Sequence, residues 1–216
     1  MAILGISSAT KIISVGLVDQ GRLLAELTLS GKEAFTEDLI LYIDKLIEQS
    51  GVSLKGIAAT EGPGAYSGLR GGLATAKTLA QTLNLPIVGV STLEAIAYNL
   101  IDIEGTILAV TDARADEFNF AAFTSKDKKL VRLTEDLVLR LDRIIELLSQ
   151  VKGKLYLAGQ IVEIYSQLSN TRITAIPAQP RGGSVAAIGE NLIAEGKIPQ
   201  NVLPRYSHLP HIREWH

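Results

Sequence analysis

Apolar and polar positions change their period several times along this chain, and each change marks an element. Ile3-Leu4-Gly5-Ile6 is a short apolar run, Ile12 to Val18 is β-branched and mostly apolar, and Asp19-Gln20-Gly21 is a turn signal before Arg22 to Leu29. Together they predict a three-strand meander. Leu39, Ile43, Leu46 and Ile47 then recur at the spacing of one helical face, with Thr36 as the expected N-cap and Gly51 as the stop. Gly56 to Thr60 predicts a strand, Gly62 to Gly68 a glycine-rich turn, and Leu69 to Leu83 a helix entered near Ser67. Pro86 to Val90 predicts another strand, and Ser91 caps a helix running to Leu100.

The pattern then starts again. Ile107-Leu108-Ala109-Val110-Thr111-Asp112-Ala113 echoes Ile3 to Ala9, and both lead into a second strand, a polar turn and a third strand. The second of these turns is Ser125-Lys126-Asp127-Lys128-Lys129. Lys152-Gly153 opens a strand ending at Ala158-Gly159, as Lys55-Gly56 opens one ending at Gly62. An offset of about one hundred residues is too long for a solenoid and suggests two related halves. The composition break at Ile101 to Gly105 places the boundary there, giving lobes 1–103 and 104–216. Such alternation builds layered α/β domains with mostly parallel, buried strands. A meander followed by β-α-β-α, twice over, is the arrangement of the actin-like ATPase and sugar-kinase superfamily (ribonuclease H-like), where ligands lie between the halves.

Composition narrows the function. The chain has 216 residues, 47% hydrophobic and 20% charged, enough for a real core. Lys and Arg number 21 against 23 Asp and Glu, a net −2 that supplies no global field for a polyanion, though it leaves room for a local basic patch. Aromatics at 5% weaken any base-stacking platform. Cysteine is absent, which removes disulfides, thiol catalysis and thiolate zinc sites together and fits a cytoplasmic protein. No membrane span and no signal peptide are expected.

The most informative stretch runs from Glu61 to Lys77. A strand, a glycine turn and a helix start can make an anion site, with Gly62, Gly64, Ser67 and Arg70 as its candidates. It is not a P-loop: the required Gly falls on Ser67 or Leu69, and no Lys stands at the β-phosphate position. Nor is it a dinucleotide fingerprint, because three residues separate Gly64 from Gly68 and no acid follows near Ile87. The helix also carries Gly68, Gly72, Thr75, Ala76 and Leu79 at helical spacing. Small residues there admit a close backbone, either the chain's own sheet or another protein's helix.

Gly62-Pro63-Gly64-Ala65-Tyr66-Ser67-Gly68-Leu69-Arg70 followed by Gly72-Leu73-Ala74-Thr75-Ala76-Lys77 resembles the signature of the bacterial TsaB (YeaZ) family, with Ala65, Tyr66 and Ser67 as mild departures. Ile3 to Thr10, Gly89 to Glu94 and Asp112 to Phe118 are similar to further family segments, and Leu203-Pro204-Arg205-Tyr206 is a fainter echo of its ending. The resemblance implies an accessory subunit in making threonylcarbamoyladenosine on tRNA, at the adenosine beside the anticodon. It implies dimers through first-half helices, with a second copy or with the catalytic paralogue TsaD, a small ATPase (TsaE) that joins, and tRNA met only through the complex. It leaves room for a nucleotide at the partner interface, with no cofactor in the isolated chain. The interface candidates are Phe35, Leu39, Tyr42, Gly68, Gly72, Thr75, Ala76 and Leu79.

The residues themselves argue against catalysis. The paralogue's H-x-x-x-H metal pair would fall on Phe35 and Leu39, which cannot ligate. The histidines are His208, His211 and His216, with Pro210 between the first two. An ATPase on this fold wants an acid at the end of the first strand to hold magnesium, and Ser7 and Ser8 stand there. Asp112 reads as a structural strand-end carboxylate. Arg70, a cation in a first helical turn, calls for a partner, and Glu61 is the candidate. Lys77 reads as solvated, Arg140 to Arg143 as a helix face, and Lys126 to Lys129 as a loop too short to bind RNA alone. The competing function class is an enzyme: an ATP-dependent phosphotransferase or a metallopeptidase.

Overall fold

The computed structural model describes residues 1–30, 38–159 and 173–208. Thr36 and the helix expected after Gly159 lie outside these residues. The first meander forms as β1 (Ala2–Ser7), β2 (Ile12–Asp19) and β3 (Arg22–Ser30), and α1 (Leu39–Ser50) follows. Gly51 ends α1 in a left-handed conformation at φ 63°, as a stop glycine should. Next come β4 (Leu54–Gly62), α2 (Tyr66–Leu83), β5 (Ile87–Ser91) and α3 (Thr92–Tyr98), where the Ser91 side chain accepts the Glu94 N–H as the expected cap. The α2 cap is Ala65, not Ser67, and its side chain offers no hydrogen bond.

The second half holds β6 (Gly105–Arg114), β7 (Glu117–Lys126), β8 (Lys129–Arg132), β9 (Leu137–Arg140), α4 (Leu141–Gln150), β10 (Leu155–Gly159), β11 (Ile173–Pro177) and α5 (Gly182–Ala194). Arg140 therefore ends a strand instead of facing outward from a helix. The two sheets repeat one order. The first runs β3-β2-β1-β4-β5 and the second β8-β7-β6-β10-β11, with β9 also on β7. In each, the central strand is antiparallel to its meander partner and parallel to the next strand.

Four apolar layers hold the sheets. Leu39, Ile43 and Leu46 of α1 and Leu73, Ala76 and Ala80 of α2 cover one face of the first sheet. Each fully buried large aliphatic there contributes about 2 kcal/mol. Val185 to Ile188 of α5 cover its other face against Ile3, Val18 and Val88. Leu93 and Ile96 of α3 pack on Ile107 and Phe123 of the second sheet, and Ile144 and Leu148 of α4 cover its opposite face.

The chain changes sheet between Tyr98 and Gly105, yet packing does not divide at 103. The two halves exchange helices: α3 lies on the second sheet, and α5 returns to the first. Glycines make that return fit. A Cβ on Gly16 or Gly182 would strike the backbone of the facing element, so β2 and α5 meet main chain to main chain. Among the described residues no helix is long and apolar enough to cross a membrane.

Candidate functional site

The carboxyl ends of β1, β4 and β6 lie at one end of the molecule, where ligands of open α/β sheets bind. In the first lobe the chain fills this place with its own atoms. Ser8 Oγ donates to the Gly68 carbonyl at 2.9 Å, and the Ser8 N–H reaches Thr60 Oγ1 at 3.3 Å. The Ala65 N–H donates to the Ala9 carbonyl at 2.8 Å. A side chain on Gly64 would strike Ala9, and one on Gly68 or Gly72 would strike Ser8. The glycine stretch thus lets α2 lie directly on the loop after β1. The first-strand end of an actin-like ATPase would need this space for phosphate and metal.

These contacts correct the expectation about the small-residue flank. Gly68, Gly72 and Ala76 face the chain's own sheet, and Ala76 is fully buried. Leu39 is likewise buried in the core, while Tyr42 and Leu79 pack half-buried against it. Thr75 is half-buried and returns its hydroxyl to the Gly71 carbonyl at 3.0 Å. Phe35 lies outside the described residues. The residues the two helices present to solvent include Ile40 and Leu41 on α1, 46% and 54% exposed, beside the polar Asp44, Lys45, Glu48 and Gln49, and Tyr66, Ser67, Arg70, Ala74, Thr78 and Leu83 on α2. Between Arg70 and Gln81 the exposed positions of α2 are the short Ala74 and Thr78. A stripe of small residues on one face does not exclude a second on the other, and the periodicity alone could not say which face was which.

Arg70 has a partner, but not Glu61. Its Nε donates to the Tyr206 hydroxyl at 3.0 Å, its guanidinium lies 4.2 Å from the centre of the Tyr66 ring, and the Tyr66 and Tyr206 rings are 5.1 Å apart. Glu61 pairs instead with Arg205 at 3.0 Å, and its carbonyl accepts the Arg205 N–H at 2.6 Å. Burial pushes the Glu61 carboxyl above its usual value against the pull of Arg205, and the charges of Asp136 and Glu94 add to that rise. Gly62, at φ 130°, has no room for a side chain beneath the Arg205 carbonyl.

The strap that carries these contacts runs from Asn201 to His208. Lys77, read as solvated, reaches Asn201 at 3.0 Å, and Val202 is buried in the first lobe. Ser207 bonds to Asn119, and His208 lies 3.1 Å from Glu117, both on β7 of the second lobe. Sequence spacing could not have found these contacts, because the partners are more than 80 residues apart. The Leu203 to Tyr206 segment was the available signal.

Elsewhere between the lobes, Arg132 bridges Glu94 at 3.1 Å and Asp136 at 2.7 Å, and Ser91 also donates to Asp136. A cavity of about 200 Å³ adjoins this cluster and Glu61. A larger cleft of about 460 Å³ opens between Ile12, Thr28, Asn99, Ile103 and Gln179. The α5 N-terminus stands beside it, and its first two N–H groups are taken: Gly182 donates to Ser14 Oγ at 2.9 Å and Gly183 to Glu26 Oε1 at 2.8 Å. A carboxylate of the chain itself occupies the position an anion would take. Asp112 accepts the Arg114 N–H at 2.8 Å, a strand-end turn contact. Among the described residues no group of three or more acids or histidines is placed to hold a metal.

A family model described as TsaD, tRNA N6-adenosine threonylcarbamoyltransferase, matches residues 22–194. The chain is 32% identical to the tRNA threonylcarbamoyladenosine biosynthesis protein TsaB of Escherichia coli, over 74% of this chain and 71% of that protein. It is 25% identical to TsaB of Bacillus subtilis, over 97% of this chain and 95% of that one. YeaZ from Pseudomonas aeruginosa superposes with a TM-score of 0.81 at 20% identity, over 95% of this chain and 99% of that structure. The doubled lobe is the fold of actin-like ATPases and sugar kinases. The signature stretch from Gly62 to Lys77, the repeated sheet and these matches together place the chain in the TsaB (YeaZ) family, within the wider group that the TsaD model describes.

Proposed function

We propose that this chain is a non-catalytic accessory subunit of the cytoplasmic assembly that transfers threonylcarbamoyl to the tRNA adenosine beside the anticodon. The observation that carries the reading is the packing of Gly68 and Gly72 against Ser8. Where a phosphotransferase of this fold would hold a nucleotide's phosphates, the chain has a serine hydroxyl bonded to its own helix. Glu26 supports the same conclusion at a second place, where the chain's own carboxylate accepts the Gly183 N–H at the start of α5.

In this reading the first lobe, 1–103, supplies the pairing face, and the second, 104–216, supplies its support and the strap. The pairing face is the outward side of α1 and α2, with Ile40 and Leu41 as apolar anchors and Ser67, Ala74 and Thr78 letting a partner helix come close. The same face serves a second copy of the chain or the catalytic homologue TsaD. The small ATPase TsaE joins the pair, tRNA is met through the assembly, and any nucleotide lies at a partner interface.

The test is co-purification of the chain with the catalytic homologue and the small ATPase of the same organism, followed by a modification assay. Modified tRNA should require the chain. A double substitution, Ile40→Asp with Leu41→Asp, should weaken association by about tenfold or more while the chain stays folded. Full modification without the chain would overturn the reading, as would steady ATP turnover by the chain alone that is lost in Asp112→Asn.

A further inference from the structure

Three elements, not two, lie side by side on the α1 face of the first sheet. The α1 helix packs on β2 and β3, and α2 packs on β4. Beyond α2, over β5, the strap takes the third place. A Cβ on Gly89 would meet Val202, and Val202 is buried in the same apolar layer as Leu39 of α1 and Leu73 of α2. Two ties bind the strap to α2, Lys77 to Asn201 and Arg70 to Tyr206. Lys77 and Arg70 are two helical turns apart, about 10 Å, so the strap runs antiparallel along the helix. Between the ties Leu203 is 59% exposed.

Arg70 joins this strap to the outward side of α2. Ser67, Arg70, Ala74 and Thr78 follow one another at helical spacing, all exposed, and Arg70 is the one charge among them. The guanidinium is held in advance, stacked on the Tyr66 ring and bonded through Nε to the Tyr206 hydroxyl. Among the described residues its two terminal nitrogens make no hydrogen bond and no ion pair. A planar fork with unspent donors matches a carboxylate. Fixing it beforehand removes part of the ordering cost of binding.

Charge along the layer is uneven. The exposed carboxylates of α1 are Asp44 and Glu48, one turn apart. Helix α2 and the strap carry no acid; their cations are Arg70, Lys77 and Arg205. A two-fold axis running along α2 would set the α1 edge of one copy over the strap edge of the other, acid on base. An axis running across the helices would set α1 on α1, acid on acid.

We propose that the C-terminal strap is a third member of the pairing face, and that Tyr206 is a positioning residue that holds Arg70 for an α1 carboxylate, Asp44 or Glu48, of a second copy of the chain. The proposal rests on the reading that the outward side of α1 and α2 is the pairing face. Leu203 adds an apolar contact at the strap edge. A phosphate backbone would meet a single cation among uncharged side chains on this stripe, which suits a protein helix better than RNA.

The test is the dimer dissociation constant of the full chain, measured by sedimentation equilibrium, with urea midpoints recorded for every variant. Arg70→Glu should weaken pairing by about thirtyfold, as should Asp44→Arg with Glu48→Arg, and the three substitutions together should recover most of the loss. Tyr206→Ala should cost about tenfold in wild type but less than about twofold in an Arg70→Ala background, because it acts through Arg70. Tyr206→Phe, which keeps the ring and loses the hydroxyl, should fall between. An unchanged constant in Tyr206→Ala, or the same loss with and without Arg70, would overturn the positioning role. Charge reversal without recovery would overturn the carboxylate partner. A wild-type chain that stays monomeric would overturn the proposal as a whole. The accessory reading would still stand in that case if the chain bound the catalytic homologue, and would fall with it if the homologue did not bind.

Discussion

The two lobes repeat one sheet order but finish their hairpins in opposite ways. In the first lobe Asp19 and Arg22 face each other across a turn made by Gln20 and Gly21, with glycine at the second left-handed position. Glu190 of α5 then accepts both turn N–H groups, at 2.9 and 2.6 Å, and Lys55 at 2.8 Å. In the second lobe Lys126 faces Lys129, a lysine takes the glycine position, and the tip stands in solvent. The strand ends differ as well. Ser8 is sealed under α2, whereas the turn after β6 holds Arg114, Ala115 and Asp116 all at positive φ. The first lobe has used its ends for packing, and the second leaves them exposed. Of two units with the same strand order, one is packed at its ends and presents an outer helical face, and the other keeps a more open hairpin end.

That contrast can be broken most severely where α5 meets the first sheet. Gly182→Ala places a methyl against the backbone of Val15 and Gly16, with no side chain able to move aside. A loss of about 3 kcal/mol is expected, read as a lowered urea midpoint. Gly72→Leu comes next. It would overpack Ser8 and cost the fold about 2 kcal/mol, so any weakened association would be secondary to lost stability. If Gly72→Leu left stability unchanged, the sealed strand end would be wrong.

Exchanging the residues at the two hairpin tips should exchange their turn energetics. Lys128→Gly should stabilise the chain by about 1 kcal/mol, because the left-handed position no longer carries a side chain. Gly21→Lys should do the reverse to stability, at a similar size. A tip that gained nothing from glycine would mean that Lys128 is not held in the strained conformation.

The smallest effects are in pH. The Glu61 carboxyl is raised by burial, so the folded chain holds its proton to higher pH than the unfolded chain does. Stability from that group is present below the unfolded value and falls as pH rises through the folded one. The melting temperature of wild type relative to Glu61→Gln should therefore climb as pH is lowered from neutrality. Glu190 behaves oppositely. Burial opposes its ionisation, but Lys55 and the Gly21 and Gln20 N–H groups outweigh that and hold it below its usual value. Its contribution is present at neutrality and lost in acid, so Glu190→Gln should cost most above the unfolded value. Parallel pH profiles for the two variants would contradict this assignment.

Much of the architecture could be read from local pattern. The 3.6-residue period of Leu39, Ile43 and Leu46, the stop at Gly51 and the cap at Ser91 are local, and local chemistry fixed them. The repeat was visible because both lobes need the same apolar central strand. The doubled β-α-β-α pattern calls for a closing helix, but its residues could not be placed. Gly182 to Gly189 is buried continuously, against the first sheet and α3, so it has no polar face to give a helical period. The direction of the small-residue stripe on α2 was ambiguous for a related reason: glycine and alanine fit equally well against a sheet or a partner. The true partner of Arg70 is 136 residues away and leaves no mark in sequence spacing.

In the proposed role this chain supplies surfaces, and its own groups make and break no bond. The decisive measurement is the rate of tRNA modification in the reconstituted assembly, with the other components saturating and this chain titrated from low concentration to excess. The account expects Asp112→Asn and Ser8→Ala to hold the wild-type rate within about twofold. It expects Ile40→Asp with Leu41→Asp to be slow at low concentration and to recover as the chain is added in excess, as a pure association defect should. Loss of turnover in Asp112→Asn, with the assembly shown intact by light scattering, would contradict it.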